Sequence, residues 1–441
     1  MFSRVLPQNK GVSPNFYGGA ALEKIVVEGG VPLMGRIRVK GAKNACLPIM
    51  AASLLTGKSV VLENVPSLDD VRTLSYLLKS LGAEVYRDRS NERIFINSRR
   101  LTTSTAPYGP VRRMRASFLI TGPLLARLGR VRISLPGGCA IGTRPIDLHL
   151  KGLKAMGAQF TMDDGYIEAE AEYLKGAEIY LDYPSVGATE NILMAAVPAK
   201  GTTIIENAAT EPEVSDLANF LNTLGAKIKG AGTPLIRIEG VSSLKGGRYR
   251  VIPDRIEAGT LMVAAAISGG DVLIEKVIPQ HLTAVIAKLQ EMGVMVEEAK
   301  RGCLRVRPRG RPRAVDIKTL PYPGFPTDLQ PQFMALLTLA RGTSVITETV
   351  FEKRYMHIEE LARMGARIRI EDRAAIITGR QLLQGASVRA ADLRGGAALI
   401  LAALAARGFS EIRGIHHIRR GYSRIVKRLR ALGARIFILS T

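Results

Sequence analysis

Leu221-Asn222-Thr223-Leu224-Gly225-Ala226-Lys227-Ile228 places an apolar helical turn, a glycine and the start of a β-branched strand side by side. Leucines three apart followed by Gly read as the end of an amphipathic helix whose last carbonyls are closed by a left-handed residue. The same Leu-x-x-Leu/Met-Gly-Ala/Val signature recurs around Gly82, Gly157, Gly293, Gly365 and Gly433, at a spacing of roughly 70 residues, so the chain is a repeat written six times. A second element recurs in step: Met50 to Gly57 before Ser59 to Val65, Leu261 to Gly269 before Val272 to Val277, and Gln332 to Gly342 before Ser344 to Val350. These helical stretches are apolar nearly all round, which predicts burial on every side. The helices ahead of the glycines are amphipathic instead, with Ser67-Leu68-Asp69-Asp70 and Ser215-Asp216 read as their capping starts. Each repeat is then one α/β unit with an inner and an outer helix, and two sets of three units make two pseudo-symmetric domains.

Bulk properties narrow the function. The 441 residues are 46% apolar, enough for more than one core. Met1 to Glu23 lacks the apolar centre of a secretory signal, and no run reaches the ~18 residues of a membrane span, so the expectation is a soluble cytoplasmic protein with no membrane insertion. Cys46, Cys139 and Cys303 fit neither a disulfide framework nor a Cys/His zinc site. A formal net charge of +23 calls for an acidic partner. Nucleic acid is the weaker choice, because aromatics make up only 5% and Trp is absent, leaving little to stack on bases. A phosphorylated small molecule fits the charge equally well.

Chemistry concentrates at two kinds of place. Pro136-Gly137-Gly138-Cys139-Ala140-Ile141-Gly142-Thr143-Arg144-Pro145 sets a thiol on a glycine-hinged loop with a guanidinium behind it, the surroundings that lower a thiol pKa. Just before the buried helices stand Lys43-Asn44, Arg115, Ser185 to Asn191, Asp254-Arg255, Asp328 and Asp392 to Arg394. An apolar helix needs no charge in its first turn for packing. Six such N-termini aimed at one cleft would form an anion site.

These residues resemble a known family, the UDP-N-acetylglucosamine 1-carboxyvinyltransferases, enolpyruvyl transferases of peptidoglycan synthesis, over about residues 24 to 441. The specific matches are Val39-Lys40-Gly41-Ala42-Lys43-Asn44-Ala45, Met114-Arg115-Ala116-Ser117, Pro136 to His149, Ser185-Val186-Gly187-Ala188-Thr189-Glu190-Asn191, Pro253-Asp254-Arg255-Ile256-Glu257, Phe325-Pro326-Thr327-Asp328, Arg354-Tyr355-Met356-His357, Asp392-Leu393-Arg394 and Arg420-Gly421-Tyr422. The resemblance implies two inside-out α/β domains, each of three repeated units with helices inside and sheets outside, separated by a cleft. It implies an N-terminal tail at 1–23, a first lobe at 43–252 carrying the Cys139 loop, and a second lobe at 24–42 plus 253–441.

The implied reaction moves the enolpyruvyl group of phosphoenolpyruvate onto the 3'-hydroxyl of UDP-N-acetylglucosamine and releases phosphate, the first committed step toward the cell wall that sets cell shape and division. Cys139 matches the proton donor, which also forms a pyruvate adduct and is alkylated by fosfomycin. Asp328 matches the base, with Lys43 and Arg420 completing the catalytic set. Lys43, Asn44, Arg144, Arg394 and Arg420 match the phosphoenolpyruvate contacts. Arg115, Arg144, Pro145, Ile146, Asp147, Leu148, Tyr183, Pro184, Ser185, Val186, Asp328 and Val350 match those of the sugar nucleotide, although relatives can carry Lys near Tyr183-Pro184. Glu211, Glu213 and Asp254-Arg255 are expected to support the closed site. No metal or cofactor is implied. Two rivals share the scaffold: a 3-phosphoshikimate 1-carboxyvinyltransferase, which lacks the Gly-Gly-Cys loop, and a non-catalytic basic binding protein.

Overall fold

A computed structural model describes residues 23–137 and 146–440. All six signature glycines adopt the left-handed region, with φ between +85° and +104°. Each follows an outer helix: Asp69–Ser80, Asp147–Ala155, Pro212–Thr223, Thr283–Glu291, Ile358–Arg363 and Ile425–Arg430. An L side chain there would be strained, which is why glycine stops every one of these helices.

The inner helices are Lys43–Ala52, Thr121–Leu128, Val186–Ala196, Arg255–Ser268, Gln330–Leu337 and Leu393–Ala405. Their small, apolar sequences leave no solvent face: the last is buried from Arg394 to Leu404. Gln330–Leu337, Leu393–Ala405 and Arg255–Ser268 pack on one another, and Thr121–Leu128 packs on Val186–Ala196. Small sheets wrap these helices. In one unit Glu178–Tyr180 runs parallel to Thr202–Glu206 across the inner helix Val186–Ala196. The outer helix then leads into the antiparallel pair Lys227–Lys229 and Leu235–Glu239. Ile236 and Ile238 face inward while their neighbours face out, the period-two pattern of a sheet covered on one side. Some strands end sooner than the sequence suggests, because Asn64 and Lys276, just past Ser59–Glu63 and Asp271–Glu275, turn to φ of 58°.

Strand pairing sorts distant segments into the two halves of the molecule. Glu23–Glu28 lies between Phe409–Arg413 and Arg435–Ser440, and Met34–Arg38 runs parallel to Asp271–Glu275. Gly247–Arg250, far later in sequence, pairs with Ser59–Glu63. The described apolar core divides accordingly: one cluster draws on residues 42–251, the other on 25–39 and 256–436. Where the chain passes between them it does so twice, side by side. Ala42 donates its N–H to the Ile252 carbonyl at 2.8 Å, and Asp254 donates to the Lys40 carbonyl at 2.8 Å. Gly41 is needed here for close approach, since a Cβ would sit 1.7 Å from the Asn64 carbonyl oxygen. Among the described residues no helix is long and apolar enough to cross a membrane.

Inner-helix contact at Gly122 offers a test of this packing. A Cβ there would meet the Asn191 carbonyl oxygen at 2.4 Å and its Oδ1 at 2.5 Å. Gly122→Ala is expected to destabilise the protein by about 1–3 kcal/mol in urea unfolding, the usual cost of overpacking; an unchanged midpoint would contradict the close helix crossing.

Candidate active site

Lys43 opens an inner helix that has no acidic residue in its first turn and no cap from its own N-cap side chain, so the helix end and the ammonium both favour negative charge. Asn44 lies half-buried on the same turn. The Lys43 Nζ donates to Asp70 Oδ2 at 3.2 Å, and Arg420, 350 residues further on, donates from Nε to Asp70 Oδ1 at 2.9 Å. Asp70 belongs to the core of residues 42–251 and Arg420 to the other half, so one carboxylate joins the two. Burial by itself would raise the Asp70 pKa, but Lys43 and Arg420 outweigh it and hold the carboxyl below its ordinary value.

A second carboxylate also reaches both halves. Asp254 caps Arg255–Ser268, its Oδ1 accepting from the Ile256 and Glu257 amides at 2.8 and 3.0 Å, while its Oδ2 accepts from the Lys43 amide at 3.1 Å. Arg255 forks onto Glu213 of the opposite half, with Nε to Oε1 at 3.0 Å and Nη2 to Oε2 at 3.2 Å. Glu211 stands beside them, its Oε1 3.4 Å from the Tyr322 amide.

Asp328 sits on a short 3-10 turn, Thr327–Leu329, ahead of the Gln330–Leu337 helix. Its side chain is 24% exposed and is gripped by two buried guanidiniums: Arg354 Nη2 donates to Oδ1 at 2.7 Å and Arg394 Nη2 to Oδ2 at 2.8 Å. Burial opposes the charge, yet Arg394 and Arg354 hold the Asp328 carboxyl well below the usual range. Asp328 is a weak base for as long as both arginines are docked on it. Arg394 also lies over the Tyr422 ring, 5.4 Å from its centroid, and Asp392 beneath it caps the Leu393–Ala405 helix through the Arg394 and Gly395 amides.

The remaining candidates stand mostly at the starts of helices and turns. Ser185 caps Val186–Ala196, accepting weakly from the Ala188 amide at 3.4 Å, with Tyr183 and Pro184 just outside the helix end. Burial raises the Tyr183 hydroxyl pKa, and so do Glu211 and Glu348, which places this ring near carboxylates of both halves. Val350 donates its amide to Glu348 Oε1 at 2.9 Å. Ile146, Asp147 and Leu148 form the start of the Asp147–Ala155 helix, and Arg115 begins the 3-10 turn Arg115–Ile120. Cys139, Arg144 and Pro145 lie outside the described residues, as does Gly138.

Several readings need correction. Ser67 and Asp69 do not cap the Asp69–Ser80 helix: Leu68 stands at the N-cap without a side-chain bond, and Asp70 is turned inward to the cations. Ser215 and Asp216 sit inside Pro212–Thr223, whose N-cap is Glu211. Gly137 keeps a φ outside the left-handed region, and its missing Cβ lets the chain pass the Arg112 carbonyl oxygen, which a Cβ would approach to 1.7 Å. Asp254 and Asp392 are true helix caps, whereas Asp328 caps nothing. Asp70 and Glu348 were missed. Asp70 carried one local signal, a second acid in a first turn that needs at most one.

His149, in the first turn of the Asp147–Ala155 helix, yields a pH test. Asn191 Oδ1 accepts from the Gly122 amide at 2.7 Å, so its amide nitrogen faces His149 Nδ1 at 3.0 Å and that nitrogen is the acceptor. Burial, aided by Arg115, pushes this imidazole down to about 3, and burial pushes His357 down to about 4. Both stay neutral in the fold at pH values where the unfolded chain's imidazoles take up protons. Their contribution is therefore complete above pH ~6.5 and is lost as pH falls toward 4. The urea midpoint of His149→Gln is expected to fall less steeply than that of the parent between pH 6.5 and 4.5; equal slopes would contradict a neutral, buried His149.

Comparisons with known proteins show the family. The family model described as EPSP synthase (3-phosphoshikimate 1-carboxyvinyltransferase) matches residues 27–429. The chain is 59% identical over 414 residues to UDP-N-acetylglucosamine 1-carboxyvinyltransferase 1 of Caldanaerobacter subterraneus subsp. tengcongensis, covering 94% of this chain and 99% of that one. It is likewise 59% identical over 416 residues to UDP-N-acetylglucosamine 1-carboxyvinyltransferase 2 of Carboxydothermus hydrogenoformans, again covering 94% and 99%. Among solved structures, the enolpyruvyl transferase NikO from Streptomyces tendae superposes with a TM-score of 0.86 at 26% identity, over 96% of this chain and 100% of that one. An EPSP synthase from Acinetobacter baumannii, 19% identical with a TM-score of 0.74 over 95% and 100% of the two chains, shares the fold. The chain belongs to the enolpyruvyl transferases, and among them to the UDP-N-acetylglucosamine 1-carboxyvinyltransferase family.

Proposed function

We propose that the polar seam between the two halves is where this enzyme moves the enolpyruvyl group of phosphoenolpyruvate onto the 3'-hydroxyl of UDP-N-acetylglucosamine, releasing phosphate, in the cytoplasm. The lobes are residues 43–252 and 24–42 plus 253–441. The observation that carries this reading is the gathering of Lys43 with Arg420 on Asp70, and of Arg394 with Arg354 on Asp328, at the meeting of two apolar cores.

Phosphoenolpyruvate brings a carboxylate and a phosphate on three carbons. Lys43, Asn44, Arg144, Arg394 and Arg420 hold it, the forked guanidiniums matching both oxyanion shapes. Cys139 delivers a proton to carbon 3, carbon 2 becomes cation-like, and the sugar hydroxyl attacks as its proton passes to Asp328; the same groups run in reverse as phosphate leaves. The tight grip on Asp328 supports an ordered sequence. An incoming anion competes for Arg394, and each arginine drawn away returns basicity to the carboxylate. Arg115, Arg144 through Leu148, Tyr183 through Val186 and Val350 hold the sugar nucleotide.

Phosphate release in the presence of phosphoenolpyruvate tests the reading. Release is expected with UDP-N-acetylglucosamine and not with shikimate 3-phosphate, and Cys139→Ala is expected to lower kcat by about a hundredfold or more, as loss of a general acid does. Turnover of shikimate 3-phosphate, or full activity of Cys139→Ala, would contradict it.

A further inference from the structure

Glu348 is 1% exposed, and a carboxylate so buried is costly unless its oxygens are satisfied. They are, and from three separate segments. Oε1 accepts from Thr319 Oγ1 at 2.8 Å, from the Val350 amide at 2.9 Å and from the Phe351 amide at 3.1 Å. Oε2 accepts from Thr327 Oγ1 at 2.9 Å. The backbone is fixed as well, since the Glu348 amide donates to the Tyr355 hydroxyl at 3.2 Å.

A carboxylate can only accept, so it dictates the direction of every bond around it. The Thr327 hydroxyl must give its hydrogen to Glu348 and turn its lone pairs outward. Arg354 Nη1 meets them at 2.8 Å, which brings Arg354 Nη2 onto Asp328 Oδ1 at 2.7 Å. The order Glu348, Thr327, Arg354, Asp328 is one chain of bonds with a single sense. The same carboxylate fixes the amides of Val350 and Phe351. A loop staple alone needs no buried charge. Here the carboxylate orients an arginine on one side, through Thr327, and a loop on the other.

We propose that Glu348 is a positioning residue for the sugar-nucleotide side of the site, holding the Asp328 turn and the Val350 loop in mutual register. The proposal rests on the reading that Asp328 and Val350 face the sugar nucleotide. Wild-type turnover with that substrate tests the reading, whereas contrasts among variants test the role of Glu348. In Glu348→Gln an amide NH₂ replaces one acceptor oxygen, and it cannot accept from both Thr327 and the two backbone amides. Thr327→Val removes only the linking hydroxyl.

Steady-state kinetics with each substrate varied in turn is the test. Both variants are expected to raise KM for UDP-N-acetylglucosamine by about tenfold or more, the loss of a charge-assisted bond, while KM for phosphoenolpyruvate stays within about twofold. Glu348→Asp, which keeps the charge on a shorter arm, is expected to fall between Glu348→Gln and the parent. Parental KM for the sugar nucleotide in either variant would overturn the proposal, and so would an equal rise for both substrates. Should Glu348→Gln fail to fold, Thr327→Val decides by the same criterion.

Discussion

Asp70 lying between Lys43 and Arg420 is the contact on which the site depends. Two like charges ~5 Å apart in a setting of effective dielectric ~20 repel by about 3 kcal/mol, so the cations of two lobes would not stand together unaided. A carboxylate between them reverses the sign. Asp328 does the same for Arg354 and Arg394, and Glu213 does it for Arg255. In this arrangement the protein's own acids supply the negative charge between its cations.

The fold makes this arrangement available. Inside-out units bury their helices, and the ends of those helices open at the seam between two cores. Asp254 shows how closely the requirements overlap: it caps one inner helix and accepts the first amide of another. Around the seam, polar side chains fix the arginines from behind. Tyr422, under Arg394, is held by Gln332 Nε2 at 3.0 Å and lies 3.0 Å from Thr260 Oγ1, and Glu348 sets Arg354 through Thr327. Neutral groups orient the cations and carboxylates neutralise them.

Much of the fold was legible because it is local. Gly225 and its five counterparts mark helix ends by a rule that acts within one turn, and Leu393–Ala405 announces its burial by having no polar face. The candidates Lys43, Asp328, Arg394 and Arg420 were also readable, through motifs around each residue. What stayed hidden is long-range or depends on shape. Nothing in Asp69-Asp70 says that the second acid waits for an arginine 350 residues away. Glycine permits two things, free rotation and close approach, and that Gly137 makes a close approach to Arg112 depends on packing no local motif records. Glu348 sits among threonines with no charged neighbour in sequence, so its role appears only when Thr319, Thr327 and the Val350 amide converge on it.

The most direct measurement is the affinity for phosphoenolpyruvate, by titration calorimetry on enzyme saturated with UDP-N-acetylglucosamine, in Lys43→Gln and in Arg420→Gln. One cation comes from each lobe, and both share Asp70. If the lobes jointly hold this small substrate with its two anionic groups, each substitution weakens binding by about tenfold or more, as loss of a charged hydrogen bond does. Parental affinity in either variant would contradict the account.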